Sequence, residues 1–259
     1  MTGAPRRYDQ ALVGGGAVLL CLTAWEAAVR SGLVNAMFVS APTLIARAGW
    51  RLFASGEMWH HLAVSGTEFL TGYLGAIVVA IPLGLAIGWY RRLYYCLGPF
   101  IDALNAVPRV ALLPLLVIWF GIGIWSKIVV VFLGAVIPLL INTFSGVKVT
   151  EARFLRVARS FGASELRVFW TIVLPGTLPF IFTGLKYAAG RALLGVVVGE
   201  LYAATAGVGY LITVAGSSVQ TDIVFAGILT FTATGVVTVA VLGRLERRFD
   251  AWRPRVGGT

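Results

Sequence analysis

Charge is what this sequence has least of. Only 12% of its 259 residues are Asp, Glu, Lys or Arg, about half the share carried by soluble domains. With 58% hydrophobic residues and a mean hydropathy of +0.87, one core at this length cannot hide the apolar surface, so lipid must solvate it. Histidine and cysteine number two each. His60 and His61 are adjacent, which suits an interfacial pair, and no metal-ligand spacing exists. Cys21 and Cys96 sit in or beside apolar runs and read as buried structural thiols rather than a disulfide framework. The 31 glycines have no triplet period, which excludes collagen, and 15 Phe, 8 Tyr and 8 Trp exclude disorder.

Catalytic motifs are missing too. None of Lys127, Lys148 and Lys186 follows a glycine, so there is no Walker A phosphate loop. Neither a zincin H-E-x-x-H nor a G-x-S-x-G elbow is present. The chain is read as no enzyme: it has no catalytic residue, no metal site and no cofactor of its own.

What is present is a series of apolar runs. A helical span needs about 20 apolar residues. Candidates are Ala11–Val29, Leu62–Tyr90, Pro99–Phe120, Ile128–Phe144, Pro179–Tyr202 and Ile223–Leu242, about six in all. Pro82, Pro108, Pro114 and Pro138 fall inside them. The chain is expected to be all-α and polytopic, a single transmembrane domain over 1–259 in the cell (plasma or inner) membrane.

The net charge of +10 raises the question of nucleic acid. Placement answers it. With the N-terminus inside, fourteen of the 21 basic residues fall in cytoplasmic segments, among them Arg6, Arg7, Arg91, Arg92 and the cluster from Lys148 to Arg167. Arg30, Arg47, Arg51 and Lys127 fall outside. This positive-inside bias predicts both termini cytoplasmic and makes nucleic acid unnecessary. Arg6-Arg7 before an apolar run also resembles a secretory signal, but the five spans that follow favour an uncleaved helix. The segment 42–62 reads as an external connection with an amphipathic helix on the membrane.

The longest loop, about 145–178, lies on the cytoplasmic side. It reads as a helix over about 150–160, a left-handed cap at Gly162, then a second helix capped by Ser164 and ended by Leu174-Pro175. Its spacing is specific: Arg156-Val157-Ala158, three residues, Gly162, nine residues, then Ile172, Leu174 and Pro175. This resembles the E-A-A, G, I-x-L-P loop of ABC-importer permeases, with Arg156 and Val157 in place of the motif's Glu and first Ala. Val107-Pro108-Arg109 through Gly123, Thr183-Gly184-Leu185 and Gly195 to Leu201 resemble signatures of the nitrate/sulfonate/taurine group.

The resemblance implies a type I importer (MetI-like) permease fold. It also implies two ABC ATPase subunits holding ATP and magnesium, a second permease copy in a homodimer, an extracytoplasmic solute-binding protein and a lipid surround. In that family the loop docks on the ATPase. Phe154, Leu155, Arg156, Val157, Ala158, Arg159, Gly162, Ala163, Ile172, Leu174 and Pro175 are its candidates here. The implied cargo is a small anion such as a sulfonate, taurine or nitrate.

Ionisable groups at membrane depth are functional candidates by default. Glu26, Asp102, Arg109, Lys186, Arg191 and Glu200 form that set, with Glu26 and Lys186 expected to snorkel. Asp102 and Arg109 are seven apart and expected to share a helical face. Arg109, Asn142, Tyr187 and Glu200 are the candidates for the translocation pathway. The rival reading is an ion-coupled secondary carrier, against which stand the loop spacing and the lack of an inverted half-repeat.

Overall fold

A computed structural model describes residues 7–149, 156–158 and 160–247. Among them every regular element is helical. The order is α1 (Arg7–Arg30), α2 (Ala36–Val39), α3 (Pro42–Ala54), α4 (Glu57–Trp89), α5 (Arg91–Ala106), a 3-10 turn (Arg109–Leu112), α6 (Leu113–Phe120) and α7 (Ile124–Val149). Further along the chain come α8 (Glu165–Val168), a π-helical turn (Phe169–Val173), α9 (Leu174–Ala203), α10 (Val208–Ser217) and α11 (Thr221–Arg247). Among the described residues five helices are long and apolar enough to cross a membrane, or six if the bent pair α5–α6 counts as one span.

The third expected span, Pro99–Phe120, is therefore not one rod: the chain turns by 87° between Ala106 and Arg109. Pro108 is the cause. A residue before proline is driven out of the α region, and Val107 is extended at φ −67°, ψ 125°. Asp102 and Arg109 consequently lie on separate elements, and the shared face expected from their spacing does not form.

At the centre, α7 lies between α4 and α9. Lipid gives helices no hydrophobic reason to associate, so close backbone packing must do it. On α4, Gly72, Ala76, Ala80, Gly84 and Gly88 recur every fourth residue along one stripe, with Ala76 and Ala80 fully buried. A Cβ at Gly84 would stand 2.7 Å from Thr143 Cβ of α7, and one at Gly72 2.7 Å from Val131 Cβ. From the other side, a Cβ at Gly184 would stand 2.8 Å from Asn142 Cβ, and one at Gly195 3.2 Å from Val131 Cα.

The peripheral helices are tied on by polar contacts. Trp25 Nε1 of α1 donates to the Ser40 carbonyl at 3.2 Å, and its ring meets Phe225 edge-on. Glu26 does not snorkel alone: it accepts from the Thr43 N–H at 3.0 Å and the Thr43 hydroxyl at 2.7 Å, capping α3. The amphipathic helix expected within 42–62 is α3, which buries Ile45, Ala48 and Leu52 and packs Ile45 and Leu52 in one cluster with Val208, Leu211 and Ala226. Cys21 and Cys96, expected to be buried, are both exposed. In a membrane protein an apolar neighbourhood in sequence marks the lipid-facing surface as readily as the core.

Candidate functional site

The segment before α8 is built around one glycine turn. Arg156–Ala158 are helical, and Gly162 follows at φ +74°. The Ala163 N–H donates back to the Ala158 carbonyl at 3.1 Å, the six-to-one bond of a left-handed C-cap. A Cβ at Gly162 would meet nothing within 4 Å, so the demand for glycine is conformational. The Ser164 hydroxyl then accepts the Arg167 N–H at 3.4 Å and starts α8. Phe154, Leu155 and Arg159 lie outside the described residues.

The second loop helix does not end at Leu174-Pro175 as expected. Leu174 stays helical at φ −62°, ψ −47°, and its N–H donates to the Phe169 carbonyl, five residues back. That wider turn carries the chain past the proline, so Pro175 sits in the first turn of α9 and α8 runs into the fifth span. Ile172 and Ala163 pack against buried Val147, Val168 and Val173. Trp89, the last residue of α4, meets the Phe169 ring edge-on at 5.4 Å. Phe161 points outward at 86% exposure, flanked by exposed Val157, Leu166 and Trp170. A groove of about 490 Å³ between Trp89, Tyr90, Leu166 and Trp170 opens beside them.

At the opposite end of the bundle is a buried polar cluster. Glu200, near the end of α9, accepts the Gly209 N–H at 2.6 Å and the Ser65 hydroxyl at 2.5 Å. Ser65 in turn accepts the Val208 N–H at 2.9 Å, and His61 Nδ1 accepts the Gly207 N–H at 3.1 Å. Three side chains from two other helices thus satisfy the first N–H groups of α10, where the helix dipole favours a carboxylate. Gly207 is at φ +122°, and a Cβ there would overlap the Glu200 carboxylate. Beside this cap, Lys127 of α7 forms a buried ion pair with Glu68 of α4. Sequence reasoning missed Glu68, and it counted Lys127 among the outside basic residues rather than as a buried partner. The available signal was a lone acid six residues into the Leu62–Tyr90 run.

The candidate pathway residues divide. Arg109 begins the 3-10 turn after the α5 break, donating to Asn105 Oδ1 at 3.4 Å. Tyr187 is exposed on α9 and accepts from Arg191 at 2.7 Å. Asn142 is half-buried between α7 and α9 and donates to the Pro138 carbonyl at 2.8 Å. Glu200 lies in the α10 cap. Lys186, expected to snorkel, instead pairs with Glu246 of α11. Among the described residues no group of three or more His, Cys, Asp or Glu is placed to hold a metal.

Comparison with known proteins agrees with this architecture. Residues 80–251 match the profile of the family described as binding-protein-dependent transport system inner membrane component. The chain is 35% identical over 246 residues to the taurine transport system permease protein TauC of Escherichia coli (strain K12), covering 93% of this chain and 90% of that protein. It is also 35% identical over 229 residues to SsuC of Bacillus subtilis (strain 168), assigned to aliphatic sulfonates, covering 88% and 83%. A chain of the MetNI methionine ABC transporter in an inward-facing form superposes with a TM-score of 0.62 at 16% identity, covering 74% of this chain and 94% of that one. A helical membrane bundle carrying the Gly162 turn, matched to that profile over most of its length, belongs to the inner-membrane permease family of ABC importers.

Proposed function

We propose that this chain pairs with a second identical copy, is driven by two separate ATPase subunits and receives its cargo from an external solute-binding protein. The cargo class is a small sulfonate-type anion, in line with the relatives whose names specify taurine and aliphatic sulfonates. The distribution of basic residues supports both termini on the cytoplasmic side of the inner membrane. That orientation puts the Gly162 turn inside the cell and α3 and α10 outside. Without a Walker A sequence in this chain, ATP and magnesium belong to the ATPase partner.

The observation that carries this reading is the exposed apolar turn on a rigid stub. Val157, Phe161 and Leu166 face outward, while Val168, Phe169 and Trp89 anchor the same turn to α4 and α7. An exposed apolar cluster of this kind marks a protein contact. Closure of an ATPase pair around it would displace α8. The unbroken run from α8 through the π turn into α9 would pass that displacement into the fifth span, rocking the subunit between outward-open and inward-open states.

The test is purification of the tagged chain from its native membrane in gentle detergent. A stoichiometric protein with a Walker A sequence and magnesium-dependent ATP hydrolysis is expected, and Phe161→Glu with Leu166→Glu should release it. A chain that purifies alone, and whose uptake in vesicles follows an ion gradient rather than ATP, would favour the secondary-carrier reading centred on Glu68 and Lys127.

A further inference from the structure

Two arginines line one open cavity midway along α9, and neither has a carboxylate partner among the described residues. The cavity holds about 420 Å³ and is lined by Asn105, Pro108, Arg109, Gly134, Arg191 and Gly195, among others. Arg191 sits near the midpoint of α9, held over the Tyr187 ring at 5.2 Å, and among the described residues hydrogen-bonds only to that neutral hydroxyl. Arg109 reaches only the neutral Asn105 amide. Glu68, Glu246 and Glu200 are engaged elsewhere, with Lys127, with Lys186 and in the α10 cap, and Asp102 on α5 forms no ion pair with either arginine among the described residues.

Their positions are set by backbone. Gly134 of α7 lets the Arg191 carbonyl approach, since a Cβ there would stand 3.1 Å from it. The break at Val107-Pro108 turns the chain so that Arg109 enters the same cavity from the other side. An ordinary straight third span would not place it there.

Charge at membrane depth is costly, and a pair of like charges without a counter-charge more so. Guanidinium groups match the oxygens of planar and tetrahedral oxyanions through paired N–H donors. A cavity of this size accommodates a small molecule. We propose that Arg109 and Arg191 together bind one small oxyanion, of the sulfonate, nitrate or carboxylate class, midway along α9. Asn105 and Tyr187 orient the two guanidiniums. This rests on the importer reading for the direction of travel, while binding itself does not require it.

The first arm of the test uses the unaltered chain in detergent. Phenylglyoxal labels arginines covalently, and peptide mass spectrometry reads each site. Ethanesulfonate should slow labelling of Arg109 and Arg191 at least fivefold relative to sodium chloride at equal ionic strength, leaving Arg30 and Arg51 unaffected. Equal rates, or uniform protection of all four, would overturn the proposal whatever the ATPase result.

The second arm uses the complete complex in vesicles. Arg109→Gln with Arg191→Gln should cut ethanesulfonate uptake at least tenfold while ATPase co-purification stays unchanged, and Arg191→Lys should retain more uptake than Arg191→Gln. Normal uptake by the double variant sinks the anion site and leaves the importer reading intact. Protection of both arginines in a chain that has no ATPase partner does the reverse. If the double variant fails to assemble, the labelling arm decides.

Discussion

The Ser65 hydroxyl donates to Glu200 Oε1 at 2.5 Å while it accepts the Val208 N–H at 2.9 Å. One small side chain of α4 thereby joins the end of α9 to the start of α10. Ser65→Ala leaves a buried N–H and a carboxylate oxygen each short of a partner, a loss of about 1–3 kcal/mol. The detergent-solubilised protein should melt at lower temperature, and amide exchange at Val208 should speed up. Unchanged exchange there would show that the cap holds without Ser65.

The Glu68–Lys127 pair predicts non-additive behaviour. Lys127→Met alone strands a buried carboxylate at a cost of about 3–5 kcal/mol. Combining it with Glu68→Leu removes the stranded charge and should recover most of the loss. Thermal unfolding of the three variants forms a double-mutant cycle, and simple additivity would mean the two groups do not act as a pair.

The small-residue stripe of α4 gives a positional contrast. A Cβ at Gly88 meets Val147 Cβ at 2.5 Å, whereas one at Gly66 on the same helix meets nothing within 4 Å. Gly88→Val should destabilise by about 1–3 kcal/mol through overpacking. Gly66→Val should leave the melting temperature nearly unchanged. Equal effects at both sites would show that helix propensity, not the α7 contact, governs the response.

Gly162 separates conformation from bulk. With open space around it and φ at +74°, Gly162→Asn should keep ATP-driven uptake close to the parent value, because Asn tolerates the left-handed region. Gly162→Val should cost about 1–2 kcal/mol locally and lower uptake sharply. Equal uptake in both variants would remove the turn from the transport cycle.

Much of this was legible in the sequence, for identifiable reasons. Gly162 and Ser164 announced their caps because those roles depend on local backbone chemistry alone. The six apolar runs were visible because lipid imposes a length. The 87° bend was not legible: Pro108 and Pro138 both fall inside apolar runs, yet only Pro108 breaks its helix while Pro138 sits inside an intact one, and tertiary packing decides between the two outcomes. The continuation through Pro175 escaped notice because a π turn carries no marker in composition. Arg109 and Arg191 were each visible as costly charges, but their convergence depends on the bend and on Gly134, neither of which spacing along one helix reveals.

The glycine contacts on both flanks of α7 have a mechanical consequence. A rod whose neighbours touch its backbone cannot flex or slide without steric clash, so α4, α7 and α9 behave as one stiff lever. At about 1.5 Å per residue, α7 is roughly 39 Å long. A tilt of about 10° about a pivot at the Gly162 end then sweeps the far end by roughly 7 Å. If the proposed ATPase contact drives that tilt, a small rotation at the Gly162 end becomes a large displacement at the far end, with no need for any helix to bend.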